Sequence, residues 1–227
     1  MAKKLTRLFA DTAVLSKYGK VLRRLVEFIA TAGLLYTKHQ ESVGFPYYYS
    51  CDGIGEAATD NIVIADAVEG TPVTEISENA FAGLQNLVSV RIPETVTRIG
   101  TSAFARCPKL TTINLPHGLT AVEAGTFQIC GSLRCVYIPD GVTKIDSQAF
   151  EGCSYLMYVR IPVSVTNIAD LALANCNAAL SIYYTGTQAQ WDSIVKGPTW
   201  NAPNYNSRVI YEWSGELPVL PTSEVSE

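Results

Sequence analysis

Val73, Val96, Leu119, Val142 and Val165 stand 23 residues apart, and most other apolar columns follow the same step. Ile76, Ile99, Val122, Ile145 and Ile168 form a second column. Phe81, Phe104, Phe127, Phe150 and Leu173 form a third, and Leu87, Leu110, Leu133, Leu156 and Ala179 a fourth. Val90, Ile113, Val136, Val159 and Ile182 alternate with Ile92, Leu115, Ile138, Ile161 and Tyr184, and Pro93, Pro116, Pro139 and Pro162 close the first four of these runs. A fixed period of this length marks units that cannot bury an apolar face singly and must stack on their neighbours. Within a unit, L-x-x-[VI]-x-[IL]-P has the two-residue alternation of a half-buried strand, and the spacing from Ile99 through Phe104 to Cys107 reads as a turn or short helical segment. The expected object is a solenoid of parallel strands about 4.8 Å apart over a ladder of stacked phenylalanines.

The stretches "VTRIGTSAFARCPKLTTINLP" and "VTKIDSQAFEGCSYLMYVRIP" resemble the BspA-like type of leucine-rich repeat, in five units over residues 73–184. "IVIADAVEGTPVTEI" resembles the family's lead-in to a first repeat, and "IYYTGTQAQWDSIVKG" a common ending of such arrays. Ala65 departs from the pattern where a strand-closing proline is usual, as do Leu173, Ala179 and Thr185 in place of Phe, Leu and Pro; these lie at array ends, where atypical units are expected. The resemblance implies an α/β-type leucine-rich repeat solenoid, β-rich, with parallel strands in a right-handed coil and capping elements at both ends. It also implies binding rather than catalysis, and surface attachment, since such repeats are common in bacterial surface adhesins and host-contact proteins.

Outside the array, five segments separate by composition: a helical segment over 1–33, a hairpin and lead-in strand over 34–72, the repeats over 73–184, a C-terminal cap over 185–213 and an acidic, proline-containing tail over 214–227. Leu15, Tyr18, Leu22, Leu25 and Ile29 keep mostly three-and-four spacing, which predicts a helix with one apolar face and one basic face. That face has three readings: self-association or docking into a larger assembly, packing back on the solenoid as a cap, or lying on a membrane surface. The runs "LLYT" and "FPYYYSCDG" predict a hairpin leading into "IVIA". At the other end Thr187 and Gln190 have capping-box spacing, Trp191, Ile194 and Val195 share a face, Gly197-Pro198 stops the helix, and "RVIYEW" over 208–213 reads as a last strand.

Charge and motif searches narrow the function. The net charge is −4, but residues 1–32 hold seven Lys/Arg against two acids, which leaves about −9 on the remainder. That balance, with no basic stripe interleaved with aromatics beyond residue 32, argues against nucleic acid. No apolar run is long enough for a transmembrane segment, and charges break every candidate core of a Sec signal peptide. Cys107, Cys130, Cys153 and Cys176 share one repeat position, so they form a row. A row neither converges tetrahedrally on a metal nor brings Cβ atoms to the disulfide mean of about 3.8 Å, and a small apolar filler role suffices. His39 and His117 stand at no motif spacing, no nucleotide, metallohydrolase or nucleophile motif occurs, and no cofactor is implied.

The outward positions of the strands remain. One row is Ser89, Thr112, Cys135, Tyr158 and Ser181; the other is Arg91, Asn114, Tyr137, Arg160 and Tyr183. Arg91, Asn114, Tyr137, Tyr158, Arg160 and Tyr183 are the expected partner-binding residues, for a protein or glycan, since Tyr and Arg dominate binding hot spots. The same rows also read as plain cross-strand packing on a solvated sheet, with Arg over Tyr. Two functions follow: a display protein attached through its N-terminal helix to a larger particle such as a bacteriophage virion, or an intracellular interaction module whose helix only caps the array.

Overall fold

A computed structural model describes residues 33–40, 46–54, 60–203 and 207–215. The predicted helix over 1–33 lies, except for Gly33, outside the described residues. The chain opens with an antiparallel hairpin, β1 (Leu35–His39) and β2 (Tyr48–Gly53). β3 (Asn61–Val63) follows, then a short antiparallel pair, β4 (Ala67–Val68) with β5 (Thr71–Ile76).

From there each turn of the coil lays down two short strands. One set, three or four residues long in most turns, comprises β6 (Ser89–Arg91), β8 (Thr112–Ile113), β10 (Cys135–Tyr137), β12 (Tyr158–Ile161) and β14 (Ser181–Tyr184). The other is two residues long in every turn: β7 (Arg98–Ile99), β9 (Ala121–Val122), β11 (Lys144–Ile145) and β13 (Asn167–Ile168). A helix, α1 (Gln188–Ser193), then leads into β15 (Val195–Lys196) and β16 (Arg208–Ile210). The first set was legible from its alternation; the second was not, because two residues carry no period.

The repeats therefore form a parallel-stranded β-solenoid. Pairing runs β3-β6-β8 and β10-β12-β14-β16 on one side, and β2-β5-β7 and β9-β11-β13-β15 on the other. No ladder pair joins β8 to β10 or β7 to β9, so both sheets break at the same junction. Across it the chain stays tied through its turns. The Ser102, Phe104 and Arg106 amides donate to the Ala124, Thr126 and Gln128 carbonyls at 2.9, 2.9 and 2.6 Å. Inside the coil Phe81, Phe104, Phe127 and Phe150 stack with centroids 5.2, 5.6 and 5.4 Å apart and planes within 13°. All four rings are fully buried.

The segment from Ile99 to Cys107 and its equivalents is turn rather than helix, and among the described residues α1 is the sole helix, so the α/β label gives way to β-solenoid. Each turn has two residues in the left-handed region where the path reverses: Asn79, Ser102, Gly125, Gln148 and Leu171 in one column, and Gly83, Arg106, Ile129, Gly152 and Asn175 in the other. These backbones repeat although the residue types do not. A helix cannot continue through alternating left-handed residues, and the amides donate to the next turn instead.

Four further expectations are corrected. In the fifth unit Leu180, not Ala179, fills the leucine column: Leu180 is fully buried and Ala179 exposed. The leucine stands one residue later after Cys176 than in earlier units while Ser181 keeps its 23-residue step from Tyr158, and the Asn177 carboxamide accepts from the Ala179 amide at 2.9 Å in that turn. Around α1 the capping box is present, with Gln190 N donating to Thr187 Oγ1 and Thr187 N to Gln190 Oε1. Trp191 and Ile194 are buried, but Val195 is exposed and begins β15. The helix ends because that strand pairs with β13, before Gly197 is reached. The last strand spans Arg208–Ile210 rather than 208–213.

Ile129 holds φ 59° with its side chain exposed, while its column neighbours Gly83 and Gly152 take φ 77° and 73° without a Cβ. A β-branched residue there is strained by about 1–2 kcal/mol. Ile129→Gly should raise stability by about 1 kcal/mol, read as a higher urea midpoint, whereas a lower midpoint would show that its side-chain contacts outweigh the strain.

Candidate partner-binding face

Strand register places the outward residues in two rows. Cys135, Tyr158, Ser181 and Arg208 are paired in sequence, as are Tyr137, Arg160, Tyr183 and Ile210, and Ser89 pairs with Thr112. Arg91 and Asn114 are exposed, Tyr137 is 44% exposed, and Tyr158 and Arg160 are half-buried. Tyr183 is not outward in effect: it retains 8% exposure because the Trp213 ring lies 5.1 Å from it at 59°, and Tyr158 meets it edge-on at 6.0 Å. Trp213 follows the repeats, so its cover could not be inferred from the column.

Two members of the second row turn back on the preceding turn. The Asn114 amide accepts from Ile92 N at 3.1 Å and donates to Ile92 O at 2.8 Å, doing the work of a ladder pair. The Arg160 guanidinium donates to Ile138 O at 2.8 Å and pairs with Asp140 at 2.5 Å. It is braced along the strand edge by these bonds. Thr185, standing where earlier units have proline, accepts from Val163 N at 2.8 Å.

The rows missed the position before each strand. Val88, Thr111, Arg134 and Met157 occupy it; Val88, Arg134 and Met157 are exposed, and Tyr155 nearby is 62% exposed. The same 23-residue step would have found them. Arg208, with Nε donating to Ser181 Oγ at 3.1 Å, extends the first row past the repeats. Cys135 is half-buried, and burial pushes its thiol up, which leaves it less reactive than an open thiol.

The cysteine column does more than fill space. Cys107, Cys130, Cys153 and Cys176 donate from Sγ to the carbonyls of Phe81, Phe104, Phe127 and Phe150, 26 residues earlier, at 3.1, 3.1, 3.2 and 3.2 Å. All six cysteines of the chain are free thiols. Burial raises Cys130 and Cys176 to about 12 and Cys153 well above its ordinary value, so these groups stay protonated as donors.

A polar cluster at the N-terminal sheet brings together residues the sequence left apart. His39 Nε2 lies 2.8 Å from Ser50 Oγ, Ser50 donates to Asp52 Oδ1 at 2.6 Å, and Ser77 and Thr37 also donate to Asp52. Ser50 is buried and gives its proton to the carboxylate, with the histidine on the other side of the hydroxyl. That order suits a satisfied network; an activated nucleophile needs the base between serine and acid. Among the described residues no three of His, Cys, Asp and Glu gather as a metal site, and no helix is long and apolar enough to cross a membrane.

The family described as BspA type leucine rich repeat region matches residues 59–191 in six copies. The chain belongs to that family. The sixth copy reaches beyond the five units counted from the columns. Among solved structures, this BspA-type chain is similar to a leucine rich cell surface protein of Faecalibacterium prausnitzii, at 34% identity and TM-score 0.64. That likeness covers 73% of this chain and 41% of the other, so this chain spans less than half of that relative. A Treponema pallidum leucine rich repeat protein matches at 26% identity and TM-score 0.53, over 74% of this chain and 84% of that one. The pneumococcal vaccine antigen PcpA shares the fold at 16% identity and TM-score 0.55, over 76% and 47%. No curated protein matches the chain.

Burial alone would raise the Asp52 carboxyl, but the Ser50, Ser77 and Thr37 hydroxyls hold it below its ordinary value. Its contribution to stability is therefore complete above the unfolded value of about 3.9 and lost as pH falls through the lower folded value. Asp52→Asn should be less stable than the parent at pH 7 and lose less additional stability on acidification from about pH 5 to pH 2. Parallel acid limbs in urea titrations of the two proteins would remove Asp52 as the source.

Proposed function

We propose that this chain is a non-catalytic repeat protein that holds a protein or glycan partner on the face formed by β6, β8, β10, β12, β14 and β16. The observation that carries the reading is that Arg91, Tyr137, Arg134, Met157 and Tyr155 are exposed on the side formed by the two successive sheets β3-β6-β8 and β10-β12-β14-β16, while no buried side-chain nitrogen or oxygen among the described residues lacks a hydrogen-bond partner. Aromatic, methionine and arginine side chains of this kind make binding hot spots because they bury large areas at modest entropic cost. The coil supplies rigidity, so the partner meets a surface already ordered.

Of the six residues chosen from sequence, Arg91, Tyr137 and Tyr158 serve as contacts, Asn114 and Arg160 position the face, and Tyr183 supports Tyr158 from below. The description of the Faecalibacterium relative as a cell surface protein supports display outside a cell or particle. In this reading residues 1–33 attach the chain to a larger assembly, such as a phage virion or a homo-oligomer, through Leu15, Tyr18, Leu22, Leu25 and Ile29, which lie outside the described residues. The hairpin and α1 act as caps at the two ends, each hydrogen-bonded or packed against the adjoining turn.

After a screen on protein and glycan arrays, Tyr137→Ala with Arg91→Ala should weaken the selected partner by at least about tenfold without lowering the urea midpoint. Equal affinity for parent and variant would move the site off this face. Light scattering tests the attachment: the full chain should form an oligomer, or be captured by an assembly, where a chain starting at residue 34 remains monomeric and uncaptured.

A further inference from the structure

Charge is segregated on the molecule in a way its linear order hides. From β6 to β16, the outward strand positions and the residue before each strand contain Arg91, Arg134, Arg160 and Arg208, and no aspartate or glutamate. This occurs on a body that carries about −9 beyond residue 32. Carboxylates border it: Glu94 binds His117, Asp140 binds Arg160, Asp60 stands before β3, the strand paired with β6, and Glu212 follows β16. Arg160 is thus largely answered within the chain. Arg91 and Arg134 are exposed and make no ion pair among the described residues, and Arg208 is oriented by a neutral hydroxyl.

We propose that the partner on this face is an acidic protein segment, laid in extended form across the strands, with carboxylates about four residues apart and apolar or aromatic side chains between them. The deduction rests on the reading that this face binds a partner, and adds which chemistry it takes. Along the stacking axis Arg91 and Arg134 are two turns apart and Arg134 and Arg208 three, at about 4.8 Å per turn; with the three-residue offset of Arg91 and the one-residue offset of Arg208 along the strand direction, the separations are about 14 and about 15 Å. An extended peptide advances about 3.3 Å per residue, so a spacing of about four residues brings successive carboxylates to successive guanidinium groups. Met157, one turn beyond Arg134, and Tyr137, on the strand that follows Arg134, are exposed beside this path and accept the intervening side chains. A nucleic acid carries a phosphate about every 3.4 Å per strand; most would find no arginine, and those over the rim would face Glu94 and Asp140. A densely sulfated glycan meets the same mismatch.

The test uses the full chain and four probes in fluorescence anisotropy at about 0.15 M salt: a labelled peptide of about twelve residues with glutamate at every fourth position and leucine, tyrosine and serine between, its lysine-for-glutamate counterpart, heparin and oligothymidylate. The acidic peptide should bind, the lysine peptide should not, and Arg91→Glu with Arg134→Glu should weaken the acidic peptide at least about tenfold while admitting the lysine peptide. An unchanged urea midpoint in that variant keeps a folding defect from imitating the result. Heparin or oligothymidylate binding as tightly as the acidic peptide, and lost in the same variant, would overturn the peptide class and leave the face standing as a binding surface. Acidic-peptide binding that survives the charge reversal overturns the inference, and binding that appears only after Glu216, Glu224 and Glu227 are changed to Gln would assign the face to the chain's own tail. If neither these probes nor the array-selected partner respond to substitutions on the face, both the inference and the functional reading fail.

Discussion

The phenylalanine stack sets the spacing to which the rest of the chain conforms. Four flat rings with centroids 5.2–5.6 Å apart can repeat only if each turn of backbone closes after the same path length, and that path is 23 residues in the regular units. Both strand sets, the left-handed residues at the reversals and the thiol donors keep that interval. The thiol ladder shows the economy of the arrangement. The carbonyl of each phenylalanine lies in a turn, and a cysteine one turn later is small enough to reach it without displacing a ring.

How much of this was readable depended on whether a position demanded a residue type. The Phe, Leu and strand columns must be apolar in every turn, so the solenoid, its parallel strands and the ring ladder were legible. The left-handed columns demand a backbone shape that five different residue types supply between Asn79 and Leu171, and nothing in the letters betrays it. The one-residue shift of the buried leucine before β14 was hidden because Ala179 is itself apolar and stands in phase. Cys107 read correctly as buried, but its donor role required knowing where the Phe81 carbonyl points.

The face divides in the same way. Alternation identified which side chains leave the strands, yet it could not distinguish a residue that leaves the sheet from one that leaves and returns. Asn114 and Arg160 return to Ile92 and to Ile138 and Asp140, where they reinforce stacking. Tyr183 is covered by a residue thirty positions later that belongs to no repeat. Arg91, Arg134 and Tyr137 remain open to solvent on a surface whose carboxylates have been kept to its margin.

The junction at which both sheets lose their ladder pairs has a mechanical meaning. Strands β6 and β8 with Arg91 and Asn114 belong to one hydrogen-bonded block, and β10 to β16 with Tyr137 and Arg160 to another, joined by turns and by the Phe104–Phe127 pair. Bending is softest at such a seam, since turning one block against the other costs side-chain contacts and a few turn bonds but no sheet. A ligand of the proposed kind, gripping Arg91 on one block and Arg134 on the other, would cross the seam like a splint and stiffen the solenoid along its long axis.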